Sequence, residues 1–246
     1  SQGDDHLRLI KTVLKNQFSG LSGTTAVTTS GAELNQLDGF AMLQENNSIW
    51  LGNNPSGTTS TASYSVALGT TALDAITTGD SNTAIGYDSL TANTTGGANT
   101  AIGKSALGAN TTGSNSVAVG DGALADLSTG SYQTAVGVQV LGNATTGQYN
   151  TGMGWYAMFD CTTGGQNTAV GWNSMQNLTT GTGNVAYGTG SLGTITTASY
   201  GTAFGYNAAA LSQTSDICAI GYNCLDANTT GTANTGLGSS ALGANT

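Results

Sequence analysis

Glycine recurs through most of this chain at a fixed interval, and this interval restricts the fold more than any other feature of the sequence. In six of the twelve units the glycine closes the motif Ala-Val-Gly or Ala-Ile-Gly, and a 17-residue interval separates each repeat glycine from the next. The one exception is the 16-residue interval between Gly205 and Gly221. A constant period with a glycine in every unit is the signature of a stacked repeat architecture. The repeat glycines are Gly52, Gly69, Gly86, Gly103, Gly120, Gly137, Gly154, Gly171, Gly188, Gly205, Gly221 and Gly238.

The residues around each repeat glycine follow a regular pattern, and we count positions from that glycine. A large apolar residue occupies position −1, alanine usually occupies position −2, and Leu or Met occupies position +4 in most units. A second glycine, in the motif Thr-Thr-Gly, occupies position +10 in most units. The short segment Asn-Thr-Ala-Ile-Gly cannot form a useful helix and predicts a strand. We therefore predict two short strands and two turns in each unit, with one turn at each glycine.

This pattern predicts an all-β fold, a parallel β-solenoid in which each 17-residue unit is one coil. Neighbouring coils pair in parallel at roughly 4.8 Å, so about eleven coils form a rod on the order of 50 Å long. Each backbone N–H and C=O group is then paired with the coil above or below. The fold therefore requires little side-chain chemistry.

The two faces of the predicted strands are both apolar. Successive residues point to opposite faces, so the large residue at position −1 and the alanine at position −2 lie on different sides. We expect the large residue and the Leu at position +4 to fill the narrow interior, and the alanine row to contact a second surface. An identical chain is the expected second surface because one coil encloses little volume, and the fibre-like axis favours three chains. The sequence thus predicts a homotrimer.

The composition excludes several classes of function. Charged residues make up 7% of the chain, and Lys104 is the only basic residue after Lys15. Nucleic-acid binding requires clustered lysine and arginine, so it is not expected. No run of 18 apolar residues occurs, and we expect no membrane insertion. Hydrophobic residues make up 38% of the chain and keep a fixed register, which low-complexity disorder does not do.

The repeats resemble those of known fibrous proteins. The stretches "NTAIGYDSLTANTTG" and "SVAVGDGALADLSTG" resemble the head repeats of trimeric autotransporter (YadA-like) adhesins, and resemble still more closely the 17-residue arrays of bacteriophage tail fibres. The resemblance covers about residues 48–246. It implies a trimer of left-handed parallel β-rolls. The chain departs from the adhesin pattern in its longer unit and in the 16-residue interval before Gly221.

Residues 1–47 do not repeat, and we predict that they form an attachment arm ahead of a solenoid over residues 48–246. Two short helices are predicted in this arm. The first helix carries an apolar stripe formed by Leu7, Ile10, Leu14 and Phe18. The stretch "DDHLRLIKTVLKNQFSGLSGTTAVTTSGAELNQLDG" is similar to a segment near the beginning of phage fibre proteins. This resemblance implies that the arm attaches to a tail or capsid protein of a virion.

The chain lacks the residues that most active sites require. His6 is the only histidine, so Ser-His-Asp triads and His-based zinc sites are excluded. Carboxylate pairs near turns, such as Asp121 with Asp126, change position from coil to coil, which argues against a glycosidase. The cysteines show no metal-binding spacing and are expected to be small buried apolar residues: Cys161, Cys218 and Cys224. We therefore expect no catalytic residue, no cofactor and no metal, and a protein that is not an enzyme.

Aromatic residues recur one position and twelve positions after the repeat glycine, so those on neighbouring coils lie one above the other. Such rows either stack on sugar rings or stack on each other and stiffen the rod, and we favour the structural role. The candidate glycan contacts are Trp155, Trp172, Tyr206 and Tyr222. Rows of paired threonines leave ice binding as an alternative, although adjacent threonines in an extended chain point to different sides.

Together these features predict a structural virion fibre of a phage tail or capsid, located on the outside of the particle. It acts mechanically and holds an attachment element away from the particle, with host surface polysaccharide as a candidate partner of the rod itself. A bacterial trimeric adhesin head and an ice-binding solenoid are the alternatives.

Overall fold

The described part of the chain is a parallel β-solenoid of about eleven coils, which confirms the prediction of an all-β solenoid with one coil in each unit. The computed structural model describes residues 42–45, 47–52 and 61–244, and all of them belong to one compact unit. These residues contain no helix, and hence none that could cross a membrane. The predicted arm helices and His6 lie outside the described residues.

Within the described residues, thirteen strands form a single sheet in sequence order. The first two strands pair antiparallel, and every later strand pairs in parallel with the one before it. Equivalent repeat positions face each other, so that Ala84 lies opposite Ala101. The strands are β1 Met42–Glu45, β2 Ser48–Gly52, β3 Val66–Gly69, β4 Thr83–Ile85, β5 Thr100–Ile102, β6 Val117–Val119, β7 Thr134–Val136, β8 Thr151–Met153, β9 Thr168–Val170, β10 Val185–Tyr187, β11 Thr202–Phe204, β12 Cys218–Ile220 and β13 Thr235–Leu237.

Each coil from β3 onward contributes one strand, whereas the sequence predicted two. The remaining residues of each coil turn repeatedly, and many turns occur at residues other than glycine. Positions +2, +4 and +12 have positive φ in successive coils, as in Asp88 (56°), Leu90 (49°) and Ala98 (56°). A large side chain seldom adopts this left-handed conformation. A prediction that places turns only at glycine therefore misses the turns at position +4.

The two faces of the strands are the reverse of the prediction. Alanines at position −2, such as Ala101 and Ala118, are fully buried, while the large residue at position −1 lies on the outer face. The prediction for position +4 is confirmed, since Leu107 and Leu124 are fully buried. These leucines occupy the interior opposite the strand and leave room there for a methyl group and little more.

Two coils show how closely the interior is filled. Position −2 is glycine at Gly152 and Gly236. The residue that faces each of them, at position +3 from the preceding repeat glycine, is larger than the usual alanine or serine: Val140 and Cys224. A Cβ atom on Gly152 would lie 2.5 Å from Cγ1 of Val140, and one on Gly236 would lie 2.5 Å from Sγ of Cys224. Both distances are too short for real contacts, so the pair of positions shares a fixed volume. The bulky residue at position −1 is therefore excluded from the interior.

A buried polar ladder runs along the solenoid at the residue immediately before most strands, and the repeat pattern did not reveal it. The side-chain oxygen of Asn150 accepts a hydrogen bond from the backbone N–H of Asn167 (3.0 Å), and that of Asn167 accepts one from Asn184 (2.9 Å). The Nδ2 atom of Asn167 also donates to the carbonyl oxygen of Gly181 (2.9 Å). The ladder thus pairs buried backbone groups that the short strands leave unpaired.

Replacement of Asn167 by alanine is expected to lower the free energy of unfolding by about 2–4 kcal/mol, because a buried N–H and a buried C=O group each lose a partner. Denaturation in urea followed by circular dichroism measures the change. Asn177→Ala is the control, since Asn177 is half-buried at the surface and outside the ladder. Equal stabilities of the two variants would contradict the role assigned to the ladder.

The ladder is interrupted in the 16-residue coil before Gly221 and in the coil that precedes it, and apolar packing takes its place there. Ile217 takes the place of the ladder asparagine and is 2% exposed. In the preceding coil the same place is Gly201, and a Cβ atom there would lie 3.6 Å from Cγ1 of Ile217. The isoleucine therefore packs over a position that carries no side chain, and the sheet continues in register through β12.

Candidate binding surfaces

The outer face of the sheet carries a continuous apolar strip. We call this face the outer strip, formed by positions −3 and −1 of strands β3 to β13. Position −1 supplies the apolar row, and position −3 beside it is threonine in seven coils and Val or Cys in the other four. The side chains of the strip are half-buried or exposed along the whole sheet, for example Met153 (46% exposed) and Phe204 (48% exposed). The residues at position −1 are Leu68, Ile85, Ile102, Val119, Val136, Met153, Val170, Tyr187, Phe204, Ile220 and Leu237. An apolar strip of this length is typical of a surface that another molecule covers.

Aromatic side chains on neighbouring coils lie one above the other, as the period predicted. The rings of Trp155 and Trp172 are stacked with centroids 6.1 Å apart, and those of Tyr206 and Tyr222 with centroids 5.7 Å apart. All four residues are at least half exposed. Stacking at this spacing stabilises neighbouring coils. Their role as glycan contacts stays a prediction.

A second aromatic pair lies at position +12, on the turn that leads into the strands. The rings of Tyr132 and Tyr149 are stacked with centroids 5.0 Å apart and planes inclined by 5°. An open groove of about 340 Å³ adjoins Tyr149 and crosses three coils. The sequence revealed the row of tyrosines, but nothing in the repeat marked the groove, because its other side chains are the threonines and glutamines of ordinary turns.

The two threonines of a Thr-Thr pair have different environments in the coils from Thr77 to Thr197, whereas Thr229 and Thr230 are both exposed. The first hydroxyl is bound within the solenoid: Oγ1 of Thr94 donates to the carbonyl oxygen of Thr111 (3.0 Å), and Oγ1 of Thr145 to that of Thr162 (3.0 Å). The second threonine is exposed, in a row formed by Thr78, Thr95, Thr112, Thr129, Thr146, Thr163, Thr180 and Thr197. The exposed threonine array is therefore one residue wide, which weakens the ice-binding alternative.

The three cysteines are free thiols in two kinds of environment. Cys161 and Cys224 are buried, as expected, and burial raises the pKa of the Cys161 thiol to about 12 and also raises the pKa of Cys224. Cys218 differs, since it occupies position −3 of β12 and is half-buried on the outer strip. A thiol with a raised pKa forms little thiolate at neutral pH and reacts slowly. Cys218 is therefore the most accessible thiol of the three.

Metal-ligating side chains are dispersed over the part of the chain that the structure describes. No group of three or more His, Cys, Asp or Glu residues there lies close enough to hold a metal ion. The carboxylates considered in the sequence, such as Asp121 and Asp126, are exposed. The apolar outer strip and the aromatic rows are thus the surfaces on which a function can be argued.

Comparison of the chain with protein-family models, with curated proteins and with solved structures found no match. The sequence and the surfaces of the solenoid are therefore the basis for assigning a function.

Proposed function

We propose that this chain is a structural fibre protein of a virion, a phage tail or capsid fibre, and that three copies assemble side by side through the outer strip. In this proposal the solenoid is a stiff spacer that supports attachment to a host surface, and the segment before it binds a tail or capsid protein. The proposed assembly of three chains rests on the observation of the outer strip. The resemblance of the repeats and of residues 1–47 to phage fibre sequences is the reason for choosing a virion.

The outer strip supports self-association better than the alanine row that was expected to contact a second surface. The alanines are inside the coil and contact no second surface, whereas the strip presents eleven large apolar side chains to the outside. Each chain offers this surface along one side. A cyclic arrangement of identical chains around a common axis covers the strip in every chain at once. Three chains are chosen because the repeat resemblance implies a trimer.

A rod of this kind suits a mechanical role. Its coils are joined by repeated backbone hydrogen bonds, such as Gly103 N–H to Ile85 O (2.8 Å) and Gly120 N–H to Ile102 O (2.8 Å). Each coil contacts its neighbours in the same way, so the length of the fibre follows from the number of repeats. Stacked aromatic pairs add to these contacts along the axis. The rod thus serves as a stiff spacer that holds an attachment element away from the particle.

The mass of the particle in solution tests the assembly directly. A trimer has three times the 24.4 kDa mass of one chain, and sedimentation equilibrium distinguishes this mass from that of one or two chains. A mass of 24.4 kDa would overturn the trimer.

Cys218 provides a test of which face the chains share. A short bismaleimide at neutral pH is expected to join Cys218 thiols of neighbouring chains, since the buried Cys161 and Cys224 thiols have raised pKa values and react slowly. Covalent dimers, with twice the 24.4 kDa mass of one chain, should appear on a denaturing gel. Cys218→Ser should abolish them.

A matched control moves the thiol from the outer strip to the exposed threonine row. In the Cys218→Ser background, Thr95→Cys places a thiol in the exposed threonine row, where no covalent dimer is expected. Trimers that cross-link through Thr95→Cys and not through Cys218 would show that another face is shared.

A further inference from the structure

The groove beside Tyr149 is built from three successive coils. Its side chains come from the turns that precede strands β8, β9 and β10, and not from the strands themselves. The groove has a volume of about 340 Å³ and crosses roughly 10 Å of the rod, given the spacing of parallel strands. Its lining side chains are Thr146, Gln148, Tyr149, Thr163, Gln166 and Thr182.

Small residues and fixed rings give the groove its shape. Gly165 lines the groove between Gln148 and Thr182, so the middle coil contributes only the side chains of Thr163 and Gln166. Tyr149 is held by its stacking on Tyr132 and is 54% exposed. Two coils further along, Gly183 takes the tyrosine position, and a Cβ atom there would lie 2.9 Å from Cδ1 of Tyr200. The Tyr200 ring thus lies over this glycine, one coil beyond Thr182 at the end of the groove.

The polar groups of the groove are available to a ligand. Within the described residues, the side-chain amides of Gln148 and Gln166 and the hydroxyls of Thr146 and Thr163 have no hydrogen-bond partner. The neighbouring Thr162 is different, because its Oγ1 donates to the carbonyl oxygen of Thr179 (3.2 Å). Amides and hydroxyls both donate and accept hydrogen bonds. The groove therefore offers both kinds of partner at once.

The groove carries no charge. Between Asp126 and Asp216 the sequence has one charged residue, Asp160, which accepts a hydrogen bond from Nδ2 of Asn143 (3.0 Å) and does not line the groove. Anionic ligands are usually bound through arginine or lysine, and the chain has neither after Lys104. Eleven of the 16 aromatic residues lie between Tyr132 and Tyr222. This part of the rod therefore combines aromatic rings with neutral polar groups.

We infer that the groove binds a segment of a neutral polysaccharide lying along the rod. A sugar ring packs its apolar face against the part of the Tyr149 ring that Tyr132 leaves uncovered. Its hydroxyls exchange hydrogen bonds with Gln148, Gln166 and Thr163, which is the combination of aromatic and well-placed polar groups that binding sites use. The inference deepens the attachment function proposed above and rests on that function for its biological setting. Because the groove is open, each chain binds weakly, and several copies in one particle raise the overall affinity.

The test is electrophoresis of the purified protein through native gels that contain dextran, mannan, laminarin or galactan, with alginate as the anionic comparison. The net charge of −9 drives the protein toward the anode, and binding to a neutral polymer slows it. We expect retardation by at least one of the four neutral polymers and none by alginate. For the retarding polymer, Tyr149→Ala should raise the apparent dissociation constant at least tenfold, and Gln166→Ala should raise it severalfold.

Two variants make the result specific to the groove. Tyr149→Phe keeps the ring and should stay within about threefold of the parent protein. Tyr64→Ala removes a tyrosine at the same repeat position, 64% exposed and outside the groove, and should have no effect. Thermal melting of each variant confirms that the solenoid is intact. The inference is overturned if no neutral polymer retards the protein, if alginate retards it equally, or if Tyr149→Ala binds like the parent.

The result of the polysaccharide-binding test does not depend on whether the chain forms the proposed trimeric fibre. The groove lies within a single chain, so a protein that sediments as a monomer should still be retarded. A trimer that ignores all four neutral polymers would leave the fibre proposal in place and remove the polysaccharide from it.

Discussion

Replacement of Gly120 by alanine is expected to lower the free energy of unfolding by roughly 3–5 kcal/mol. Gly120 has φ of +137°, a conformation that residues with a Cβ atom seldom adopt. A Cβ atom there would also lie 2.3 Å from the carbonyl oxygen of Gly137 on the next coil. Backbone atoms of a neighbouring coil cannot rotate away as a side chain can. The substitution therefore strains its own coil and separates it from the next one.

Gly108→Ala is the matched control for this substitution. Gly108 does not have positive φ, and a Cβ atom there would lie 3.2 Å from its nearest neighbour, the carbonyl oxygen of Ser105. Alanine already occupies the equivalent position one coil later, at Ala125. We expect a change within about 0.5 kcal/mol, as for ordinary surface substitutions. Urea denaturation measures both variants, and hydrogen exchange around residues 103–137 shows whether the damage is local. Similar stabilities for the two variants would contradict the close approach of the repeat glycines.

The fold was predictable because the repeat leaves little choice. A glycine in every 17-residue unit, with apolar residues at fixed distances from it, requires identical coils that stack in register. The structure has this register, with Ala101 opposite Ala118 and Ile102 opposite Val119. The period does not show which side chains point into the solenoid and which point to the outside. The pairing register between neighbouring strands is the same whichever face of the strand points into the solenoid.

The inward face was predicted wrongly because size was taken as a sign of burial. Alternation assigns Ala101 and Ile102 to opposite faces, and a larger apolar residue usually gains more from burial. The interior of a coil is too small for this rule, since Leu107 and its neighbours already fill it. The pairing of Gly152 with Val140 carried the missing information: a residue at position −2 becomes smaller where its partner becomes larger.

The candidate sites were predictable only in part. Trp155 and Trp172 were expected to stack from their spacing, and they do. The groove was not expected, because Gln148 and Gln166 lie in turns whose chain direction depends on positive φ at Tyr149 and Gln166. Sequence patterns that assign turns to glycine give no path for these segments. The proximity of these side chains on neighbouring coils can be predicted only once the backbone path through the turns is known.

The second large effect concerns the outer strip. Ile102→Glu combined with Val136→Glu is expected to convert the trimer into single chains of 24.4 kDa. Leaving a buried charge without a partner costs about 3–5 kcal/mol, and a change of about 1.4 kcal/mol is tenfold in an equilibrium constant. Two such charges in each chain therefore weaken assembly by a factor of at least roughly 1,000. Sedimentation equilibrium measures the mass.

The same variant should keep its fold, which separates loss of assembly from loss of structure. Ile102 is 38% exposed and Val136 is half-buried on the outside of the coil, so the glutamates reach solvent in a single chain. Thr95→Glu combined with Thr129→Glu is the control, since it adds equal charge to the same two units on the exposed threonine row. We expect circular dichroism of both variants to match the parent, and the control to remain trimeric.

The outcome decides what covers the apolar strip. A trimer that tolerates both glutamates would show that the chains meet elsewhere, and eleven apolar side chains would then need a different occupant. Dissociation of the control together with the strip variant would indicate general repulsion between chains that already carry a net charge of −9 each. Dissociation of the strip variant alone assigns the strip to the interface, because the charge added is the same and only its position differs.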